Sequence, residues 1–239
     1  MRATVCLPTY NERENLEPMV RALGDVLRNG DRVLVIDDDS PDGTGQIADR
    51  LAGELPFVDV LHRERKEGLG RAYVDGFGRA LAEGAELILE MDCDFSHDPR
   101  DLPRLIAAVE EGGADVALGS RYIPGGGVEN WGALRRAISR GASIYTRLLL
   151  MPVRDATGGF KCFRRRVLEE VDLAEVNAAG YVFQIEVTYR ALRKGFSVVE
   201  IPIRFTDRAV GHSKMSHAIV VEAAWKVPLL RLRALLGRL

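Results

Sequence analysis

The chain has 239 residues, 46% of them hydrophobic and 28% charged, with a net charge of -2. This is ordinary globular composition, and the chain is long enough to bury one substantial core. The near-neutral balance excludes a general nucleic-acid binder, which needs a basic surface to release counterions.

The N-terminus, Met1–Thr4, lacks the apolar stretch of a secretory signal, and no apolar run approaches the roughly 20 residues that span a bilayer. Cys6, Cys93 and Cys162 are widely spaced with no CxxC pair. That argues against a zinc ribbon and fits buried thiols in a reducing compartment. The expectation is a cytoplasmic protein, soluble or peripheral on a membrane surface.

In chain order, Ala3–Leu7 reads as a buried strand and Glu14–Leu27 as a helix. Arg32–Asp37 and Val58–His62 read as strands, with a helix over Gly43–Leu55 between them. A helix over Leu69–Glu83, a strand over Glu86–Met91, a helix over Asp101–Glu111 and a strand over Asp115–Gly119 follow. Such alternation predicts an α/β fold with a mainly parallel sheet and helices on both faces. Ligands of these sheets sit beyond the carboxyl ends of the strands.

After Arg121 the pattern changes. Ile123–Gly127 is a flexible loop, and Ala133–Leu150 a basic and apolar helix. Phe160–Phe163 reads as a strand, Gln184–Lys194 as a helix, and Ser197–Ile203 as another strand. His212–Met215 lies in a loop before a last helix, in which Pro228 predicts a break or kink.

Polar residues cluster after the strands. The first strand ends in Pro8-Thr9-Tyr10-Asn11-Glu12, with no glycine-rich turn of the dinucleotide-binding kind. The second runs into Asp37-Asp38-Asp39-Ser40-Pro41-Asp42-Gly43. A helix N-cap accounts for Ser40 or Asp42, but Asp37 and Asp38 still need a donor or cation. The fourth runs into Asp92-Cys93-Asp94-Phe95-Ser96-His97. Asp92 and Asp94 alternate, so on an extended chain they point the same way. Paired carboxylates there suit Mg2+ or Mn2+, which completes its shell with substrate phosphates. His97 fits a structural role better than that of a ligand. Arg121, after the fifth strand, offers either a fork of donors to a diphosphate or a surface ion pair.

Taken together, PTYNERENL (Pro8–Leu16), DDDSPDGT (Asp37–Thr44), MDCDFSHDP (Met91–Pro99) and GSRY (Gly119–Tyr122) resemble the family 2 glycosyltransferases. TGGFKCFRR (Thr157–Arg165), GYVFQIE (Gly180–Glu186) and DRAVGHSKM (Asp207–Met215) extend the resemblance to the dolichyl-phosphate (polyprenyl-phosphate) mannose synthases. The resemblance implies a GT-A-like catalytic domain over 1–215, with a Rossmann-like nucleotide-binding half. A C-terminal amphipathic helical extension over 216–239 follows it. The chain resembles the members that have only the catalytic domain. The implied reaction is inverting transfer of mannose from GDP-mannose to a polyprenyl or dolichyl monophosphate. The rivals are a UDP-glucose-dependent polyprenyl-phosphate glucosyltransferase and a non-catalytic nucleotide-sugar-binding subunit.

By the same resemblance, Pro8, Tyr10, Glu12, Ile36 and Asp38 hold the nucleoside, and Asp92, Cys93 and Asp94 hold metal, diphosphate and sugar. Arg121, Arg208 and Lys214 contact phosphates or sugar, and Gln184 and Glu186 line the sugar-acceptor region. Cys93 stands where many members have alanine, and Ser96 where some have glutamine near the metal. Glu186 is open between a surface acid, an orienter of an arginine and a vestigial base. A lipid monophosphate, with a second pKa of about 6, is mostly dianionic near neutral pH, so no obligatory base is expected. A lipid acceptor needs a membrane-facing surface. The segments 133–150 and 218–239 either lie in the interface or pack on the core. A membrane-protein partner is left open.

Overall fold

The computed structural model describes residues 1–176, 180–207 and 217–237. The first half alternates strands and helices: β1 (Ala3–Thr9), α1 (Leu16–Gly24), β2 (Arg32–Asp37), α2 (Thr44–Glu54), β3 (Val58–His62), α3 (Leu69–Ala82), β4 (Leu87–Glu90), α4 (Leu102–Glu110) and β5 (Val116–Ser120). The second half adds β6 (Gly127–Glu129), α5 (Ala133–Leu149), β7 (Lys161–Arg164), α6 (Arg165–Glu170), α7 (Gly180–Arg193), β8 (Val198–Pro202), β9 (Arg204–Thr206) and α8 (His217–Leu235).

Seven strands form one sheet in the order β3-β2-β1-β4-β7-β5-β8. The pairs β1/β2, β1/β4, β2/β3 and β5/β8 are parallel, whereas β7 runs antiparallel to both neighbours. The mainly parallel sheet expected from the alternation is therefore present, with one reversed strand in its middle. β6 and β9 pair separately as a short parallel ribbon.

Side chains alternate across the strands, so apolar runs serve two cores at once. Val5, Leu7, Val33, Val35 and Leu89 face α1, α2 and α4, whereas Cys6, Leu34, Ile36 and Ile88 face α3 and α7. The second layer is aromatic: Tyr73 stacks on Phe77 at 5.5 Å and on Phe183 at 5.9 Å. All three cysteines are buried and unpaired.

Strand register sets where the polar residues emerge. Pro8 pairs with Ile36 and Thr9 with Asp37, so Tyr10 and Asp38 leave the sheet side by side. β4 stops at Glu90, opposite Cys6, and the next residues turn out beside them.

α8 packs inward through Val227, Leu230 and Ala234 against Leu150, Val153, Ile185 and Tyr189. It presents Trp225, Leu232 and Leu235 outward. The segment thus packs on the core through one face and leaves other apolar residues exposed. No helix among the described residues is long and apolar enough to cross a membrane.

Of the break or kink expected at Pro228, no break occurs: α8 runs on to Leu235. Proline lacks the amide that would serve the carbonyl four residues back. That carbonyl, of Ala224, instead accepts from the Tyr145 hydroxyl of α5 at 3.1 Å. Tyr145→Phe should cost about 0.5–1.5 kcal/mol in urea denaturation. In a Pro228→Ala background, which restores an amide donor, the same change should cost less. Equal costs in both backgrounds would contradict this pairing.

Candidate active site

A cavity of about 300 Å³ opens beyond the carboxyl ends of β1, β2 and β4. Pro8, Thr9, Tyr10 and Glu12 border it after β1, and Asp38 after β2. The β1 turn is shaped by Asn11, a residue that tolerates its positive φ of 58°. The Glu12 amide donates to Thr44 Oγ1 at 3.0 Å, and its carboxylate accepts from Asn15 Nδ2 at 2.8 Å.

The three consecutive aspartates divide their tasks. Asp37 is buried against α2, with His62 Nδ1 at 3.5 Å from its Oδ2. Asp38 faces the cavity and pairs with the buried Arg63 guanidinium, which also holds Asp75 at 2.7 Å and Glu67 at 3.0 Å. Burial pushes the Asp38 carboxyl up, and Arg63 opposes that shift. Asp39 takes a left-handed turn conformation. Neither Ser40 nor Asp42 is the N-cap of α2, which is Gly43; Asp42 precedes it and accepts from the Thr44 amide at 3.0 Å.

Beyond β4, Asp92, Cys93, Asp94 and His97 all line the cavity. Extended-chain alternation is not the reason, because the strand has already ended. A turn brings both carboxylates there: Phe95 has φ of 58°, and Asp94 Oδ1 accepts from the Ser96 amide at 3.0 Å. The Asp92 amide lies 3.4 Å from His97 Nδ1. The His97 ring stacks on Phe160 at 5.0 Å and meets the edge of Phe205 at 5.2 Å. Burial pushes its pKa down to about 4, so the imidazole is neutral near pH 7. Its neutral Nδ1 accepts, which assigns the ring proton to Nε2. Cys93 is buried, and its thiol is pushed up by that burial.

Cations also border the cavity. Arg121 directs its fork at the buried Asp155, with contacts of 2.7 Å and 2.6 Å, and donates to Thr157 Oγ1 at 2.9 Å. Arg121 borders the cavity, and the ion pair it makes is buried rather than at the surface. Arg135 lies over the Trp131 ring at 4.2 Å and pairs with Asp207 at 2.7 Å. Lys66 sits 3.5 Å above the Tyr10 ring.

Gln184 reaches the cavity from α7. Its Oε1 accepts from Lys161 Nζ, and Lys161 pairs with Glu90 at 2.7 Å. Burial pushes Glu90 up and Lys161 down, each partner countering the other's shift. Gln184 Nε2 is buried and has no acceptor among the described residues. A Cβ on Gly159 would stand 3.4 Å from that nitrogen and 4.0 Å from Asp92 Oδ2. Glycine therefore keeps open the space between the amide and the carboxylate.

The remaining candidates lie elsewhere. Ile36 is buried beneath α3 and does not border the cavity, because its place on β2 faces the aromatic core. Glu186 does not border it either. It is buried and pairs with Arg190 at 2.9 Å one turn along α7. Arg208 and Lys214 fall outside the described residues. Sequence reasoning missed Lys66, Trp131, Arg135 and Phe205. Only the aromatic–basic spacing Trp131-x-x-x-Arg135 offered a local signal for any of them.

The donor set suits a hard divalent cation: two carboxylates at one cavity, with room beside Asp92. Among the described residues no group of three or more His, Cys, Asp or Glu forms a cage. Such an ion would take further oxygens from substrate and water.

Residues 4–172 match the glycosyl transferase family 2 pattern. The chain belongs to glycosyl transferase family 2. It is a glycosyltransferase, and its α/β fold is GT-A-like. The chain is 48% identical to the polyprenol monophosphomannose synthase of Mycolicibacterium smegmatis, covering 99% of this chain and 89% of that protein. It is 46% identical to the undecaprenyl-phosphate mannosyltransferase of Micrococcus luteus, covering 95% and 93%. With the dolichol-phosphate mannosyltransferase of Pyrococcus furiosus it shares 38% identity over 93% of this chain, but it spans only 61% of that protein. Among solved structures, the mannosyltransferase of Pyrobaculum calidifontis in complex with GDP-Man and Mn2+ matches with a TM-score of 0.65 at 17% identity, over 99% of this chain and 64% of that one. Glucosyl-3-phosphoglycerate synthase from Mycobacterium tuberculosis matches with a TM-score of 0.67 at 18% identity, over 97% and 79%.

The floor of this glycosyltransferase's cavity rests on Glu90 and Lys161, both fully buried. Lys161→Met should cost about 3–5 kcal/mol by stranding a buried carboxylate. Adding Glu90→Gln should recover part of that loss in chemical denaturation. No recovery in the double variant would contradict the pairing.

Proposed function

We propose that this glycosyltransferase moves mannose, with inversion, from GDP-mannose to a polyprenyl or dolichyl monophosphate at the cytoplasmic face of a membrane. The observation that carries the reading is the convergence of Asp92 and Asp94 on the cavity that also takes Asp38, Tyr10 and Gln184. The names of the 48% and 46% identical relatives support the sugar and the lipid class. The three unpaired cysteines fit a reducing compartment.

Each part of the cavity has a task in this reading. Pro8, Tyr10, Glu12 and Asp38 hold the nucleoside, with Lys66 over the Tyr10 ring adding positive charge near the phosphates. Ile36 supports that wall from the core. Asp92 and Asp94 hold Mg2+ or Mn2+, with the Cys93 backbone between them. When bound, the ion neutralises charge on the departing diphosphate. Gln184 offers a preorganised amide donor, its side chain fixed by Lys161. Arg121 is held in place by Asp155, and with Arg208 and Lys214 it keeps two anionic substrates together.

The acceptor needs no deprotonation, since a phosphate monoester is mostly dianionic near neutral pH. The Glu186 carboxylate, paired with Arg190 away from the cavity, fits that account and acts as an orienter. α5 and α8 supply the membrane-facing side. Leu134, Ile144 and Leu148 of α5 and Trp225, Leu232 and Leu235 of α8 are exposed among basic residues.

Radiolabel from GDP-mannose should enter an organic-extractable, acid-labile product, and label from UDP-glucose should not. Asp94→Asn should lower the rate by about two orders of magnitude or more. Glu186→Gln should retain turnover. Loss of turnover in Glu186→Gln with donor binding intact would contradict the base-free mechanism.

A further inference from the structure

A second cavity, of about 230 Å³, lies between α5 and the loop that leads to β7. It is lined by Tyr122, Arg140, Ser143, Ile144, Arg147 and Arg154, none of which borders the donor cavity. The α5 residues recur at helical spacing and form one face. Tyr122 is held against that helix by its hydroxyl, which donates to Ser139 Oγ at 2.7 Å.

Charge distinguishes the two cavities. In the donor cavity, Arg121 and Arg135 each face a carboxylate. In the second, three exposed arginines share the lining with no carboxylate, and none of the three makes an ion pair among the described residues. Glu200, next to Arg154, is already engaged. Its carboxylate accepts from the amides of Arg154 and Asp155, both at 3.0 Å, and from Ser120 Oγ at 2.7 Å. Like charges gathered with no ion-pair partner among the described residues favour binding of an anion.

A second, independent observation points the same way. Ser143 is 2% exposed, and its hydroxyl has no hydrogen-bond partner among the described residues. A helical hydroxyl ordinarily satisfies itself on the carbonyl four residues back. Thr146 does so on Ala142 at 2.9 Å, whereas Ser143 stands unpartnered in the cavity lining. Three planar forks and a buried hydroxyl match the oxygens of a phosphate group.

The cavity also has an apolar side. Ile144 is part of the lining and is itself exposed, and Leu148 follows one turn on, 80% exposed. We infer that this second cavity binds the phosphate of an anionic membrane lipid through Arg140, Arg147, Arg154 and the Ser143 hydroxyl, with the acyl chains along Ile144 and Leu148. Such a site orients the enzyme on its membrane independently of the donor cavity.

The test is binding of the full chain to phosphatidylcholine vesicles with and without a minor fraction of phosphatidic acid. Ser143→Ala keeps every charge and should weaken binding to the anionic vesicles roughly tenfold, leaving pure phosphatidylcholine binding unchanged. Arg147→Gln should do the same, whereas Arg136→Gln, which removes an equal charge from α5 outside the cavity, should have a much smaller effect. Equal losses in the two arginine variants, or wild-type binding by Ser143→Ala, would reduce the effect to diffuse attraction and overturn the site. Inorganic phosphate as competitor separates the sources. Displacement by phosphate only at concentrations far above those of lipid supports the lipid. Phosphate binding without any preference for anionic vesicles overturns it. Transfer to a short-chain soluble acceptor should be unchanged in Ser143→Ala, so this site and the catalytic reading fail separately.

Discussion

Asp92 and Asp94 enter one cavity from a single turn beyond β4, and two carboxylates there repel unless cations face them. Much of the surrounding structure answers that constraint. The other acids at the sheet edge are neutralised locally: Asp38 by Arg63, and Asp155 by Arg121. Asp94 takes a backbone amide from Ser96. What is left is a cavity bordered by the carboxylates of Asp38, Asp92 and Asp94 and by Lys66, Arg135, Trp131 and Phe205. In the proposed reading, a nucleotide sugar and its divalent ion would lie among these groups.

The reversed strand β7 makes this possible. It inserts Lys161 between β4 and α7, where it meets Glu90 and orients Gln184. A buried ion pair stabilises little in net terms, because desolvation offsets most of the attraction. Its value here is positional, since it fixes an amide donor beside Gly159 and Asp92. The same half of the chain carries α5 and α8, so their outward apolar residues and the cavity are built on the same part of the fold. Tyr145 ties the two helices together at the carbonyl that Pro228 leaves unserved.

The parallel half of the sheet was legible in the sequence, because strands buried on both faces read as apolar runs and helices as 3.6-residue patterns. The rule that ligands gather at strand ends pointed to Asp38, Asp92 and Asp94, whereas Tyr10 came from the family resemblance. Local pattern does not carry strand direction, so the reversal of β7 was not visible. β6 and β9 are three residues each, too short for any period. Partnerships between distant positions were equally hidden. Arg121 with Asp155 and Glu90 with Lys161 depend on the folded topology. The place of Glu186 depends on helix phase: Gln184 points to the cavity, and two residues on the chain has turned by roughly 200°. Ile36 alternates with its neighbours on β2, and that alternation sends it to the core.

The central claim is that Asp92 and Asp94 together hold a divalent ion with the donor. Electron paramagnetic resonance of Mn2+ with GDP tests it most directly. The account predicts bound Mn2+ whose signal tightens when GDP is added, and loss of that binding in folded Asp92→Asn and Asp94→Asn variants alike. Unchanged Mn2+ and GDP binding in both variants would contradict it.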